Sequence, residues 1–467
     1  MMMDVAKKNI LIVGLGISGV AAARFLKRRG ADVTVTDMAR EEDLGAHVQE
    51  MRDMGAGVEL GQHRIEIFEK ADLIVLSPGV PHTIFQVKSA EERGIPIMGE
   101  LELASRFIRE PVVAITGTNG KTTTTELLGK MLDHSGVKVF VGGNIGNPLI
   151  GYVDNKEKAE VVVVEVSSFQ LDTIEIFRPK VSVLLNITED HLDRYPDFGA
   201  YVASKGRIFE NQKEGDIAVL NGSDPNVRSF YGKIKAKQLV FCHEKKAGST
   251  FNEGAIIKES GIIFKTAKNG TEGGAILKPS MSLNLSHVAL MGMHNMENVA
   301  AASLAALAVG GTPEKIQSVL NDFKALSHRL EWIATINDVG YFNDSKATNV
   351  DSVARALECF NAPVILIMGG RNKGSNFNVL KNSVRQHVKK LIVMGEAKDD
   401  IKSVLGHIIS TGSAASMEDA VFSAYQAAAP GDVVLLSPAC SSFDMYNSYA
   451  ERGESFCKAV DKLKWKN

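Results

Sequence analysis

At 467 residues the chain is long enough for about three domains of roughly 100 to 200 residues each. Hydrophobic residues make up 45%, charged residues 23%, and the formal net charge is −2, which argues against a nucleic-acid or anionic-membrane surface and for small-molecule partners. Four cysteines, Cys242, Cys359, Cys440 and Cys457, lie far apart with no CxxC spacing, so neither a zinc site nor a disulfide framework is expected. A reducing cytoplasm is the simplest setting. Lys7-Lys8 and the apolar run after Ile10 imitate a secretory leader, but Gly14, Gly16 and Gly19 interrupt that run. No other stretch is long enough to cross a bilayer, so no membrane insertion is expected.

Three blocks follow in chain order, each an alternation of short apolar runs and helical patterns. Residues 1–108 carry NILIVG, ADVTVTD and ADLIVLSPG as strands, with the helix GVAAARFLKRRG between the first two and Gly30 closing it. Residues 109–326 begin with PVVAITG and continue through AEVVVVEVSS, KVSVLLNIT and DIAVLN to an alanine-rich helix at NMENVAAASLAALAVGG. These runs are apolar without alternation, which predicts a parallel sheet covered on both faces. Residues 244–280, rich in Gly, Lys and Ser, read as a surface excursion. Residues 327–467 supply PVILIMGG, KKLIVMG and DVVLLSPA, with helices such as MEDAVFSAYQAAA. The fold class is therefore α/β, as three consecutive domains: Rossmann-like, P-loop ATPase-like and again Rossmann-like.

Gly117-Thr118-Asn119-Gly120-Lys121-Thr122 follows directly on PVVAIT and opens a helix through four threonines. Glycines there let backbone N–H groups face phosphate oxygens, Lys121 adds a charge, and Thr122 is placed to hold Mg²⁺. The general P-loop pattern has glycine where this chain has Ile115. Gly14-x-Gly16-x-x-Gly19 also lies between strand and helix, and Asp37 ends the next strand; a tight turn and an acid for a ribose hydroxyl fit a dinucleotide or another nucleotide diphosphate. Glu165 and His191 each follow a strand of the second block and are expected to face the phosphate loop as ligands of a hard cation.

Thr116 to Thr123, Glu165-Val166-Ser167-Ser168-Phe169-Gln170, Asn186 to Asp193, Gly292-Met293-His294-Asn295-Met296-Glu297-Asn298, Asp344 to Asn349 and Ser437 to Ser442 resemble, in order, the signatures of the Mur ligases of peptidoglycan synthesis. The family's own phosphate loop reads TGTNGKT, so Ile115 is no departure from it. The Ser77-Pro78-Gly79 turn and the Gly142-Gly143-Asn144-Ile145-Gly146 loop are most similar to the branch that joins D-glutamate to UDP-N-acetylmuramoyl-L-alanine.

That resemblance implies an ATP-dependent ligase working through an acyl phosphate and a tetrahedral intermediate. Gly117, Thr118, Asn119, Gly120, Lys121, Thr122 and Thr123 would hold the triphosphate, and Asn295, Arg329 and Asp344 the rest of the nucleotide. Two Mg²⁺ ions are implied on Thr122, Glu165, His191 and Lys205, with Lys205 converted by CO₂ into a carbamate; an ordinary surface lysine is the alternative. Gly14, Leu15, Asp37, Ser77, Gly79 and Asn144 would meet the UDP-sugar end, although Arg40 stands one position later than the family's usual arginine. Lys346, Thr348, Lys373, Ser442 and Tyr449 would meet D-glutamate. A monomer in the cytoplasm is expected, with no nucleic-acid partner. Alternatives are another amide-forming relative, such as a different Mur ligase or a folylpolyglutamate synthase, and an NAD(P)-dependent oxidoreductase built on the first glycine motif. The last leaves the second phosphate loop without a use.

Overall fold

A computed structural model describes residues 3–155, 157–246, 251–266, 276–278, 281–286, 288 and 290–464. They form two compact units: Met1–Ile187, Gly199–Ser286 and Asn298–Val319 make one, and Thr188–Phe198, His287–Glu297 and Leu320–Asn467 the other. The first unit holds two sheets and the second holds one.

In the first sheet β1 (Asn9–Val13), β2 (Asp32–Asp37), β3 (Gly57–Leu60), β4 (Leu73–Leu76) and β5 (Ile97–Gly99) all run parallel in the order β3-β2-β1-β4-β5. The second sheet comprises β6 (Val112–Thr116), β7 (Val139–Gly143), β8 (Val161–Glu165), β9 (Val181–Leu184), β10 (Ile217–Asn221), β11 (Lys237–His243), β12 (Gly254–Ile257), β13 (Gly261–Lys265) and β14 (Ser282–Asn284). Its order is β14-β13-β12-β11-β10-β9-β6-β8-β7. The third contains β15 (Glu331–Ile336), β16 (Val339–Asn343), β17 (Val364–Gly369), β18 (Val388–Met394), β19 (Thr411–Ser413) and β20 (Val433–Leu436), ordered β15-β16-β20-β17-β18-β19.

The unbroken apolar runs read as strands are buried on both faces for a simple reason. Side chains alternate across a sheet, and in β17 Val364, Leu366 and Met368 join one core cluster while Ile365 and Ile367 join the other. Two expectations need correction. The second sheet is not wholly parallel, because β12–β13 and β13–β14 pair antiparallel. Nor is the Gly- and Lys-rich stretch merely a surface excursion: its described parts include β12 and β13, whose Ala255, Ile257, Ile262 and Phe264 are buried. Residues 247–250, 267–275, 279 and 280 of that stretch lie outside the described residues.

Parallel strands place loops at their C-terminal ends where the strand order reverses direction. That point follows β1, between β2 and β4; β6, between β8 and β9; and β20, between β16 and β17. The first two reversals are the two glycine-rich turns, and the third opens Ser437-Pro438-Ala439-Cys440.

Within the first unit, the helix Glu100–Ser105 reaches from the end of β5 to the second sheet through two buried carboxylates. Glu102 accepts the backbone N–H groups of Glu175, Ile176 and Phe177 at 2.9, 3.1 and 3.0 Å. Glu100 accepts Ile150 N at 2.6 Å, and burial pushes its carboxyl up to about 7. Because this folded value lies above the ordinary 4.5, the fold favours the protonated acid. The associated stability is present below about pH 4.5 and lost as pH rises through about 7. Glu100→Gln is therefore expected to flatten the decline in urea midpoint between pH 4.5 and 7.5 by an amount worth at most about 3 kcal/mol. Identical pH profiles for variant and parent would contradict that account.

Candidate functional site

The turn after β6 is built from its own backbone and from two asparagines. Gly117 and Gly120 have φ of 154° and 86°, conformations that glycine adopts without strain, and the helix Lys121–His134 starts at once. Asn186 lies just beyond β9, which pairs with β6. Its side chain donates to Asn119 O at 3.1 Å and accepts Asn119 N at 2.8 Å, while its own carbonyl accepts Thr118 N at 2.9 Å. Asn298 packs so closely that a Cβ on Gly120 would overlap its Oδ1.

Two ammonium groups meet at this turn. Lys121 Nζ donates to Gly117 O and Thr118 O, each at 2.9 Å. Lys205 Nζ donates to the same Gly117 O, also at 2.9 Å. Lys205 is only 1% exposed, its Nζ 4.7 Å from the centroid of the Tyr201 ring, whose hydroxyl lies 3.2 Å from Thr118 Oγ1. The surface-lysine alternative is thus wrong for Lys205. Thr122 stands half-buried in the first turn of the helix and Thr123 is buried.

Glu165 ends β8 directly across from Ile115 of β6, next to the phosphate turn. Asn144 holds it, donating from Nδ2 to Glu165 Oε1 at 3.0 Å and from its backbone N to Glu165 O at 2.9 Å. The other carboxylate oxygen, Oε2, is buried without a hydrogen-bond partner. A buried carboxyl oxygen without a hydrogen-bond partner, beside a glycine-rich turn, fits a hard divalent cation.

The glycine turn after β1 is equally tight. Gly14 has φ of 94°, and a Cβ on Gly19 would overlap the Gly14 carbonyl oxygen, so the helix Ile17–Arg28 can approach only with glycine there. Asp37 accepts Leu15 N at 2.7 Å and Ala39 N at 2.8 Å, and Ser77 Oγ donates to Gly14 O at 2.8 Å. Ser77 and Gly79 lie in a turn closed by Val80 N to Ser77 O. Leu15, Asp37 and Ser77 thus meet around Gly14, while Asn144 joins the phosphate-turn group instead.

The remaining sequence-predicted residues belong to the second unit. Asp344 is buried, accepting Leu330 N at 3.2 Å and Ser437 Oγ at 2.9 Å; burial pushes its carboxyl up to about 7, opposed by Ser437, Leu330 N and the nearby Arg329 charge. Asn295 donates from Nδ2 to Met291 O at 2.7 Å. His191, with φ of 55°, donates its backbone N–H to Asp190 Oδ1, and Asp190 Oδ2 accepts Asn349 Nδ2 at 3.2 Å. His191 lies in the segment Thr188–Phe198, which groups with the second unit. Lys346 Nζ lies 4.9 Å from the Tyr449 ring centroid; Thr348 and Lys373 are half-buried and Ser442 is buried.

Sequence reasoning passed over Asn186, Asp190 and Asn298, although each stood in a quoted motif. Asn298, three residues after Asn295 on the helix Met293–Ala308, carried a usable signal in that spacing.

Family models match in three places: "Mur ligase MurD-like, N-terminal domain" over residues 8–99, "Mur ligase middle domain" over 115–306 and "Mur ligase, glutamate ligase domain" over 328–440. A UDP-N-acetylmuramoylalanine--D-glutamate ligase of Desulfosudis oleivorans is 53% identical over 99% of this chain and 98% of its own length. One of Desulfatibacillum aliphaticivorans is 52% identical over 99% and 100%. Among solved structures, MurF ligase of Thermotoga maritima in complex with ADP matches with a TM-score of 0.62 at 18% identity, over the full length of both chains. A pseudomurein peptide ligase type C of Methanothermus fervidus gives 0.60 at 21%, covering 98% of this chain and all of that one. At such identities these structures establish a shared fold.

The Asn186 clamp supports a specific expectation. Asn186→Ala removes two side-chain hydrogen bonds to the Asn119 peptide, each worth about 1 kcal/mol. Affinity for a non-hydrolysable nucleoside triphosphate, measured by calorimetry, should fall by roughly ten- to hundredfold. Unchanged affinity would mean that the turn keeps its shape without the clamp.

Proposed function

The chain belongs to the Mur ligase family, and we propose that the side chains described above divide one amide-forming reaction among them. The reaction is the ATP-dependent addition of D-glutamate to UDP-N-acetylmuramoyl-L-alanine in peptidoglycan synthesis, as in relatives that match the chain from end to end. Among the described residues no helix is long and apolar enough to cross a membrane. The oxidoreductase alternative falls away, because the first glycine motif lies within the match to the family's N-terminal domain.

In our reading, the turn Gly117 to Thr123 binds the triphosphate with Lys121 against its terminal phosphates. The substrate carboxylate attacks the γ-phosphorus, the bond to the bridging oxygen breaks, and ADP leaves an acyl phosphate. The amine of D-glutamate then adds to the acyl carbon, and the tetrahedral intermediate expels phosphate as the amine loses its proton. Little covalent work falls to the protein; its task is to neutralise charge and to align groups. Asn295, Arg329 and Asp344 hold the nucleotide, Gly14, Leu15, Asp37, Ser77, Gly79 and Asn144 the UDP-sugar, and Lys346, Thr348, Lys373, Ser442 and Tyr449 the D-glutamate. Residues 1–108, 109–326 and 327–467 are the corresponding three domains.

Mg²⁺ would supply Lewis-acid neutralisation of the phosphates, held by Thr122 and Glu165 and, for a second ion, by His191 and Lys205. The observation that most supports this reading is the meeting of Lys121 and Lys205 on one carbonyl of the phosphate turn, with the open Glu165 oxygen nearby. Carbamylation of Lys205 by CO₂ would replace one of those two cations with an anion and turn repulsion into attraction.

Lys121→Ala is expected to lower kcat by about 10³-fold or more while the chain still folds, because it removes a charge and two hydrogen bonds of a turn but no core volume. Phosphate release dependent on both UDP-N-acetylmuramoyl-L-alanine and D-glutamate is the assay, and activity near that of the parent would end the assignment. Lys205→Ala should be nearly silent with or without bicarbonate. Full activity of that variant in CO₂-depleted buffer would remove the carbamate from the proposal.

A further inference from the structure

Arg452, in the helix Tyr449–Lys464, is 3% exposed. A guanidinium so deeply buried ordinarily has a carboxylate beside it. Among the described residues no carboxylate lies within ion-pair distance of Arg452. Its hydrogen bonds go instead to a hydroxyl and three carbonyls. Nε donates to Ser345 Oγ at 3.0 Å and Nη2 to Ser345 O at 2.8 Å, while Nη1 donates to Cys440 O at 3.1 Å and Gly369 O at 3.4 Å. Burial lowers its affinity for the proton only to about 10, so the group is cationic at neutral pH.

The acceptors are not scattered. Ser345 follows β16, Gly369 ends β17 and Cys440 follows β20, three neighbouring strands at the reversal of the third sheet. The planar fork of one arginine therefore ties together three loops that share no backbone continuity, which a single ammonium group lacks the spread to do. Further bonds knit the same loops: Ser345 Oγ donates to Tyr449 O at 2.8 Å, and Arg371 and Ser441 exchange backbone hydrogen bonds at 3.0 Å in both directions. Lys346 adjoins Ser345, Lys373 lies four residues beyond Gly369, and Ser442 lies two beyond Cys440. Every loop that carries a proposed contact to the incoming amino acid is thus anchored on Arg452.

We infer that Arg452 is a positioning residue for the amino-acid substrate. It fixes the three loops in one register and places beneath them a positive charge that no carboxylate pairs at ion-pair distance, only Asp444 acting on it from further off, which favours a dicarboxylic amino acid over an isostere with an uncharged side chain. This rests on the reading that Lys346, Thr348, Lys373, Ser442 and Tyr449 form the amino-acid subsite. An arginine that merely braced the core would alter stability without separating one substrate from the others.

The test uses the full chain as parent, Arg452→Lys, Arg452→Met and, as a control on the subsite, Lys373→Ala. Phosphate release is followed while ATP, UDP-N-acetylmuramoyl-L-alanine and D-glutamate are varied in turn, with D-glutamine as the probe whose side chain is uncharged. Arg452→Lys should raise KM for D-glutamate at least tenfold and leave the other two KM values within twofold. Arg452→Met should raise it further and shrink the preference for D-glutamate over D-glutamine at least tenfold. Should the methionine variant fail to fold, the lysine variant decides. If Lys373→Ala raises KM for D-glutamate and Arg452→Lys does not, the inference is overturned and the subsite stands. A rise in all three KM values together with a lower Tm would make Arg452 a brace only, which also overturns it. If Lys373→Ala leaves KM for D-glutamate unchanged, the subsite itself is misplaced and the inference falls with it.

Discussion

Two cations share one carbonyl oxygen in this protein, and much of the first unit is arranged around that fact. Lys121 and Lys205 each donate to Gly117 O at 2.9 Å, which leaves their ammonium groups within about 6 Å of each other in a largely buried place. Such a pair is unfavourable alone and favourable around a polyanion. The glycines, the Asn186 clamp and the packing of Asn298 fix the shape of the turn beside the lysines. Glu165, with its unpartnered oxygen, fits the complementary role toward a cation in the proposed reading. A triphosphate with its metal satisfies both at once, which is why the family's phosphoryl chemistry suits this turn.

The second unit meets a related electrostatic demand differently. Its buried Asp344 is shared between Ser437 and the Leu330 peptide, and its buried Arg452 is shared among carbonyls. Asp344 has the Arg329 charge near it, whereas among the described residues Arg452 has no carboxylate within ion-pair distance and is left to respond to a ligand. In the proposed reading the three sheets follow one rule, with substrate contacts hanging from strand ends near the reversal of strand order, where neighbouring loops diverge.

Much of this was legible in the sequence. Strands such as VVVVE and VILIMG declare themselves by unbroken apolar runs, and the two glycine turns by their place between strand and helix. What escaped had weaker local signals. The hairpin of β15 and β16 turns on Asn337-Asp338, with φ of 50° and 59°, a left-handed pair that Asn-Gly would have announced and Asn-Asp does not. The strands β12 and β13 sit amid Gly and Lys, so composition concealed their alternation. Lys205 and Arg452 were hardest, because a helical lysine or arginine looks solvent-facing until the tertiary fold buries it. The motifs led to Lys205 only through a resemblance, and nothing local marked Arg452.

The Glu102 carboxylate carries a consequence for the order in which the chain matures. Its three partner N–H groups belong to residues 175–177, more than seventy positions downstream. A ribosome adding roughly 5 to 20 residues per second would deliver that acceptor's partners only several seconds after the first sheet's last strand had emerged. Until then Glu102 lacks the three backbone partners that fix its helix, and the nascent first sheet waits unsealed along that side. The first α/β domain is therefore completed by the second, and translation pauses or truncations before Phe177 should leave an N-terminal fragment exposed to proteolysis even though all of its strands are present.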